Sequence, residues 1–183
     1  MTDTRAEILK FWFEETQPAQ WFQSSADFDE SIRARFLSAY ENALNGAYDA
    51  WLGDAHGALA LIIMLDQFPR NMFRGTARMY EADAKALDCA RQAVAKGHDQ
   101  SLTPQQRGFM YLPFEHSEDL ADQETSVVLF DTMKDDQPVM YDYAVKHLDV
   151  IEEFGRFPHR NKLLGRENTP AEEAYLARPD SGF

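Results

Sequence analysis

With 183 residues, a formal charge of -13 and one cysteine, Cys89, the chain suits a single domain over residues 1–183 with no internal disulfide. No run approaches the ~20 apolar residues of a membrane span, and the aromatic cluster Phe11-Trp12-Phe13 is closed by Lys10 and Glu14. The 31 acidic side chains against 18 Lys and Arg repel duplex DNA and anionic membranes, so neither is expected as a partner and a cytoplasmic protein is the default reading.

In chain order, Thr4-Arg5-Ala6-Glu7 fits a capping box, opening a helix loaded with Ile8, Leu9, Phe11, Trp12 and Phe13. Three successive aromatics cannot all share one narrow helix face. Surplus exposure among Phe11, Trp12, Phe13, Trp21, Phe22 and Phe28 would mark a partner surface, with a homodimer through these amino-terminal aromatics as one form of it. A second helix is predicted over 29–45, from Ile32, Phe36, Tyr40, Ala43 and Leu44 at helical spacing, with Gly46 as its stop.

The run 58–65 is apolar on every side, which predicts a central helix over 58–67 covered by neighbours all round. A buried strand is the competing reading, but no other segment alternates with a period of two to pair with it. Asp83 is placed to cap a helix running to Lys96 before Gly97. Thr103-Pro104-Gln105-Gln106 and Thr169-Pro170-Ala171-Glu172 are capping boxes with proline at the first helical position, and Pro138 opens the helix that carries Tyr141, Ala144, Val145, Leu148, Ile151 and Phe154. Pro69, Pro113 and Pro158, spaced 44 and 45 residues apart, are expected to end or kink helices at a period near that of HEAT-type hairpins. The fold class is therefore all-α, with about eight helices and no sheet.

Residues 66–78 and 154–166 both break at Phe-Pro and then present Arg and Asn before a Gly; together they hold seven of the 18 Lys and Arg residues against one acid, Asp66. Planar guanidinium groups suit carboxylate or phosphate oxygens. If the two corners converge, Arg70, Asn71, Arg74, His116, Arg156, His159, Arg160 and Asn161 would line a groove for a small anionic ligand, a peptide or a protein partner. The competing reading is an internal network in which Asp66, Glu115, Glu118 and Asp122 neutralise the same arginines. In an enzyme, His116, Glu115 or His159 would move the proton.

The stretch Glu115-His116-Ser117-Glu118-Asp119 lacks a second histidine at metal spacing, and no zincin or di-iron pattern occurs, so no metal is expected. No glycine-rich phosphate loop or dinucleotide fingerprint is present, and no cofactor is expected. Cys89, on an alanine-rich segment, reads as a small core residue.

The runs LALIIMLDQFPRNMFRGTAR (59–78), YLPFEHSEDLADQ (111–123) and FGRFPHRNKLLGR (154–166), with the amino-terminal ILKFWFEE (8–15), resemble a bacterial family known as domain of unknown function 924. The resemblance covers nearly the whole chain. It implies an all-helical protein with a tetratricopeptide-like stack of antiparallel hairpins, and it carries no activity or site with it.

Overall fold

The computed structural model describes residues 3–23, 25–179 and 181, and every regular element among them is helical. The chain forms two compact units, Met1–Pro113 and Phe114–Phe183.

The first unit opens with α1, Thr4–Lys10, which continues into a wider π turn, Phe11–Glu15. Asp3, and not Thr4, is the cap: its backbone is extended and its carboxylate accepts the Arg5 N–H at 3.1 Å, while Thr4 is already helical. The π turn answers the crowding of three consecutive aromatics. Phe11 and Trp12 are both buried and Phe13 is half-buried, and the Thr16 N–H and hydroxyl close the turn on the Phe11 carbonyl. A short α2, Pro18–Trp21, leads to α3, Ala26–Leu44, which starts three residues before the predicted boundary because the Ser25 hydroxyl accepts the Phe28 N–H. Phe28, Ile32, Phe36, Tyr40 and Ala43 bury one face of α3.

The predicted central helix is there, and it is longer. It runs through α4, Ala55–Ile62, a π turn, Ile63–Gln67, and α5, Phe68–Met72. Every residue from 57 to 69 is buried, and the neighbours that cover this stretch are α1, α3 and α6. Pro69 does not break it. In the π turn the Phe68 N–H reaches back to the Ile63 carbonyl, and Pro69 then lies in the first turn of α5, where its missing N–H costs nothing.

Helix α6, Asp83–Ala95, buries Ala86, Cys89, Ala90 and Ala93, and ends before Gly97 at φ 71°. Asp83 is not its cap, because the carboxylate is turned to an arginine. In α7, Pro104–Glu115, Thr103 and Gln106 form the expected reciprocal capping bonds. Pro113 lies inside α7 two residues from its end; it cannot donate to the Phe109 carbonyl, yet the helix continues past it to Glu115.

In the second unit α8, Leu120–Asp131, is capped by Asp119 and joined by a six-residue connection to α9, Pro138–Phe154, on which it packs. The fully buried Gln123 amide donates to the carbonyls of Glu115 and Ser117, both at 2.6 Å, fastening α8 to the end of α7. After Gly155, at φ 68°, a 3₁₀ turn, Pro158–Arg160, follows, and α10, Pro170–Leu176, carries the second predicted capping box. Val150, Ile151, Phe157 and Tyr175 form the core of this unit.

Gly57 shows how tightly α4 is seated. A Cβ there would lie 2.4 Å from the Trp51 carbonyl oxygen, whereas one at Gly53 would meet nothing within 4 Å. Gly57→Ala is therefore expected to destabilise the protein by about 2 kcal/mol or more, and Gly53→Ala by less than about 0.5 kcal/mol, in urea unfolding.

Candidate functional site

The two basic corners fall in different units, and each is built from its own neighbours. In the first, Arg70 projects from α5 and is clasped by two carboxylates. It meets Asp66 one turn earlier at 3.2 Å, and takes Asp83 of α6 bidentately at 2.9 and 3.1 Å. Burial disfavours the guanidinium charge, but Asp66 and Asp83 outweigh it and raise the Arg70 pKa. Asn71 donates to Asp29 of α3 at 2.8 Å, and Arg74 binds the same carboxylate bidentately at 2.6 and 2.9 Å. Burial would raise the Asp29 pKa; the hydrogen bonds from Arg74 and Asn71 win and lower it. The acids serving this corner are thus Asp29, Asp66 and Asp83.

The second corner is fastened by an ion pair. Glu118 accepts both guanidinium branches of Arg166, at 2.7 and 2.9 Å, and the Phe157 N–H at 2.8 Å; Arg166 in turn donates to the Phe157 carbonyl and to Asn161. Asn161 donates onward to Asn168. Arg156 is bound bidentately by the buried Glu172 at 2.6 and 2.8 Å, which holds the Glu172 carboxyl down at about 2 against the opposing effect of burial, with the Thr169 N–H assisting.

With the Phe157-Pro158 peptide fixed in this way, the 3₁₀ turn brings His159 and Arg160 beside groups from α7 and α9. The Arg160 guanidinium lies 4.6 Å from the Phe157 ring centroid and the His159 ring 5.6 Å from it. His147 of α9 lies edge-on to the same Phe157 ring at 5.5 Å, and the His116 ring is 6.3 Å from His147. Glu115, the last residue of α7, approaches His147 Nδ1 to 3.3 Å. Glu115, His147 and Arg160 are buried, while His116 and His159 are half-buried.

His147 Nδ1 is 2.8 Å from the Tyr143 carbonyl oxygen, which can only accept, so the proton is on Nδ1 and the lone pair on Nε2. Burial pushes its pKa down to about 2 despite that hydrogen bond, with the nearby charges of His116, Arg160 and His159 adding to the fall. His147 is therefore neutral at ordinary pH. Sequence reasoning missed it, although the signal was present: position 147 lies three residues after buried Ala144 and four before buried Ile151, on the face α9 turns inward.

Of the residues picked out from sequence, the structure thus unites Arg70, Asn71 and Arg74 around Asp29, Asp66 and Asp83, and unites Glu115, His116, His159 and Arg160 around His147 and Phe157. Arg156 and Asn161 both act on Glu172, whose carboxyl pKa each lowers. Among the described residues no group of three or more His, Cys, Asp or Glu side chains is arranged to hold a metal ion, and no helix is long and apolar enough to cross a membrane. A hollow of about 450 Å³ in the first unit is lined by Lys85, Lys96 and Cys89. Both ammonium groups there donate to backbone carbonyls, of Ala43 and Leu52, and burial raises the thiol pKa to about 11, so its chemistry is quiet.

Two outcomes separate these corners. Arg70→Met leaves Asp66 and Asp83 facing each other without their cation and is expected to cost about 3–5 kcal/mol in chemical unfolding, against under about 1 kcal/mol for Arg74→Gln at the exposed end of the network. His147 remains neutral when folded but protonates near 6.5 when unfolded, so the unfolded chain binds more protons and stability falls as pH drops below about 6.5. Unfolding followed between pH 7 and 5 is expected to show this slope, and His147→Asn, which keeps a donor for the Tyr143 carbonyl, to flatten it.

A structure described as a protein of unknown function, ATU0120, from Agrobacterium tumefaciens is 43% identical, with a TM-score of 0.89 over 94% of this chain and 96% of the other. Among curated proteins, none matches. The family model described as bacterial protein of unknown function (DUF924) matches residues 8–180, and with the long motifs at 59–78, 111–123 and 154–166 this establishes that the chain belongs to that family.

Proposed function

We propose that the protein is a binding module whose second unit receives a small anion, a carboxylate or a phosphate, at His116, His159 and Arg160, with His147 and Glu115 as the buried floor. The observation that carries this reading is geometric: the His116 ring is 6.3 Å from His147, and the His159 ring and the Arg160 guanidinium are 5.6 and 4.6 Å from the Phe157 ring that His147 packs against. His147 itself is kept neutral chiefly by burial, and the charges of these three neighbours act in the same direction. Two half-buried imidazoles set beside a guanidinium offer an incoming anion both hydrogen-bond donors and positive charge. Arg70, Asn71, Arg74 and Arg156 are assigned to the frame, because each engages a carboxylate of its own unit.

One observation favours a second reading, an enzyme acting on the bound anion. A buried carboxyl group, Glu115, lies 3.3 Å from an imidazole nitrogen in the same cluster, a pairing that can move a proton through Glu115 or His116. On that reading Glu115→Gln keeps anion affinity and loses turnover.

The test is titration of the intact chain with inorganic phosphate and with a small dicarboxylate, followed by the imidazole carbon-bound proton signals. Signals of His116 and His159 are expected to shift saturably and their pKa values to rise in the complex. Arg160→Gln is expected to weaken binding about tenfold or more, while Arg74→Gln, on the other unit, leaves it unchanged. Unmoved histidine signals, or full affinity in Arg160→Gln, would overturn the assignment.

A further inference from the structure

The hollow of about 450 Å³ in the first unit carries a separate inference, independent of the anion site. One wall is the 3₁₀ turn Asp49–Gly53. The other is a single face of α6 and its carboxyl-terminal cap, where Lys85, Asp88, Cys89, Gln92 and Lys96 recur at three- and four-residue spacing. Backbone bonds fix both ammonium groups. Lys85 Nζ donates to the Ala43 carbonyl at 2.8 Å and meets Asp49 at 2.9 Å, while Lys96 Nζ donates to the Leu52 carbonyl at 2.9 Å. An ammonium has three N–H groups, so two of those on Lys96 are left for an occupant. Among the described residues no carboxylate pairs with Lys96.

The charges are divided between the two ends. Lys85 shares its end with two carboxylates, Asp49 and Asp88, the second held by the Gln92 amide at 2.8 Å, and all three charges act on the Cys89 thiol between them. That end is negative on balance, and the Lys96 end is positive. Between them Ala50, Leu52 and Cys89 supply apolar wall. A simple anion would gain at Lys96 and lose at Asp88, and a simple cation the reverse; an occupant with both charges satisfies both ends. Asp88 and Lys96 are eight residues apart, about 12 Å of helical rise, so the occupant's charges must be well separated. We propose that the hollow is a binding site for a small zwitterion of the ω-amino carboxylate or dipeptide class, its carboxylate on the Lys96 ammonium and its own ammonium at Asp88 and Asp49.

The test is titration of the full chain with 6-aminohexanoate, hexanoate and hexylamine, which share one chain length and carry both charges, the carboxylate alone and the ammonium alone. Binding is read at the backbone amide signals of residues 49–53 and 85–96, so that a carboxylate held in the second unit is not counted. Saturable shifts are expected with 6-aminohexanoate, and binding about tenfold weaker or less with the other two. Lys96→Met and Asp88→Asn are each expected to weaken 6-aminohexanoate about tenfold or more with unchanged helical circular dichroism and melting, since both residues are exposed. Absence of saturable shifts with 6-aminohexanoate overturns the proposal, as does full affinity in Lys96→Met or in Asp88→Asn. Hexanoate or hexylamine binding as tightly as the zwitterion removes the need for one of the two ends and overturns it too.

Discussion

Asp66 is a carboxylate with no solvent exposure on a helix buried along thirteen successive positions, and the first unit is arranged around that charge. A lone buried carboxylate would be protonated or would unfold its surroundings. Here Arg70, one turn onward, supplies the cation, the Gln67 side-chain amide donates to the second oxygen, and Asp83 from α6 accepts from both Nη1 and Nη2 of the same guanidinium, sharing Nη1 with Asp66. A buried ion pair adds little stability over an apolar filling of equal volume. Its effect is geometric. Apolar surfaces tolerate sliding, whereas a bidentate arginine accepts one relative position, so the Asp66–Arg70–Asp83 set holds α5 and α6 in register and Asp29, with Asn71 and Arg74, does the same for α3.

The helical architecture was legible because its signals are local. Apolar residues at three- and four-residue spacing, two capping boxes and the all-round apolar run 58–65 each constrain a few neighbouring residues, and each is found. Pro69 was misread because proline was taken to act on a regular α-helix. A π turn placed just before it removes the demand for its N–H, and such a turn has no composition of its own. The same blind spot hid the solution to Phe11-Trp12-Phe13, where the π turn at 11–15 alters the register in which successive side chains leave the helix.

The candidate site was legible by residue type and illegible by partnership. Both basic corners stand out in the sequence, but the acids that engage them arrive from other elements: Asp29 is 42 and 45 residues from Asn71 and Arg74, Glu118 is 48 from Arg166, and Glu172 is 16 from Arg156. No spacing rule reaches that far. His147 was lost for the opposite reason, since it lies within a helix whose apolar stripe draws attention to its neighbours.

The two corners consequently differ in what they can do. A guanidinium gripped by a bidentate carboxylate has a fixed charge and a fixed geometry at any accessible pH, so Arg70, Arg74, Arg156 and Arg166 cannot sense a change in their surroundings. Imidazoles can. Two unit positive charges 6.3 Å apart, the separation of the His116 and His147 rings, repel by about 2.6 kcal/mol at an effective dielectric near 20, enough on its own to keep one of the two neutral at pH 7. Burial decides that His147 is that one. An anion that binds in such a cluster favours the cationic over the neutral imidazole, so by linkage its binding strengthens as protons are added.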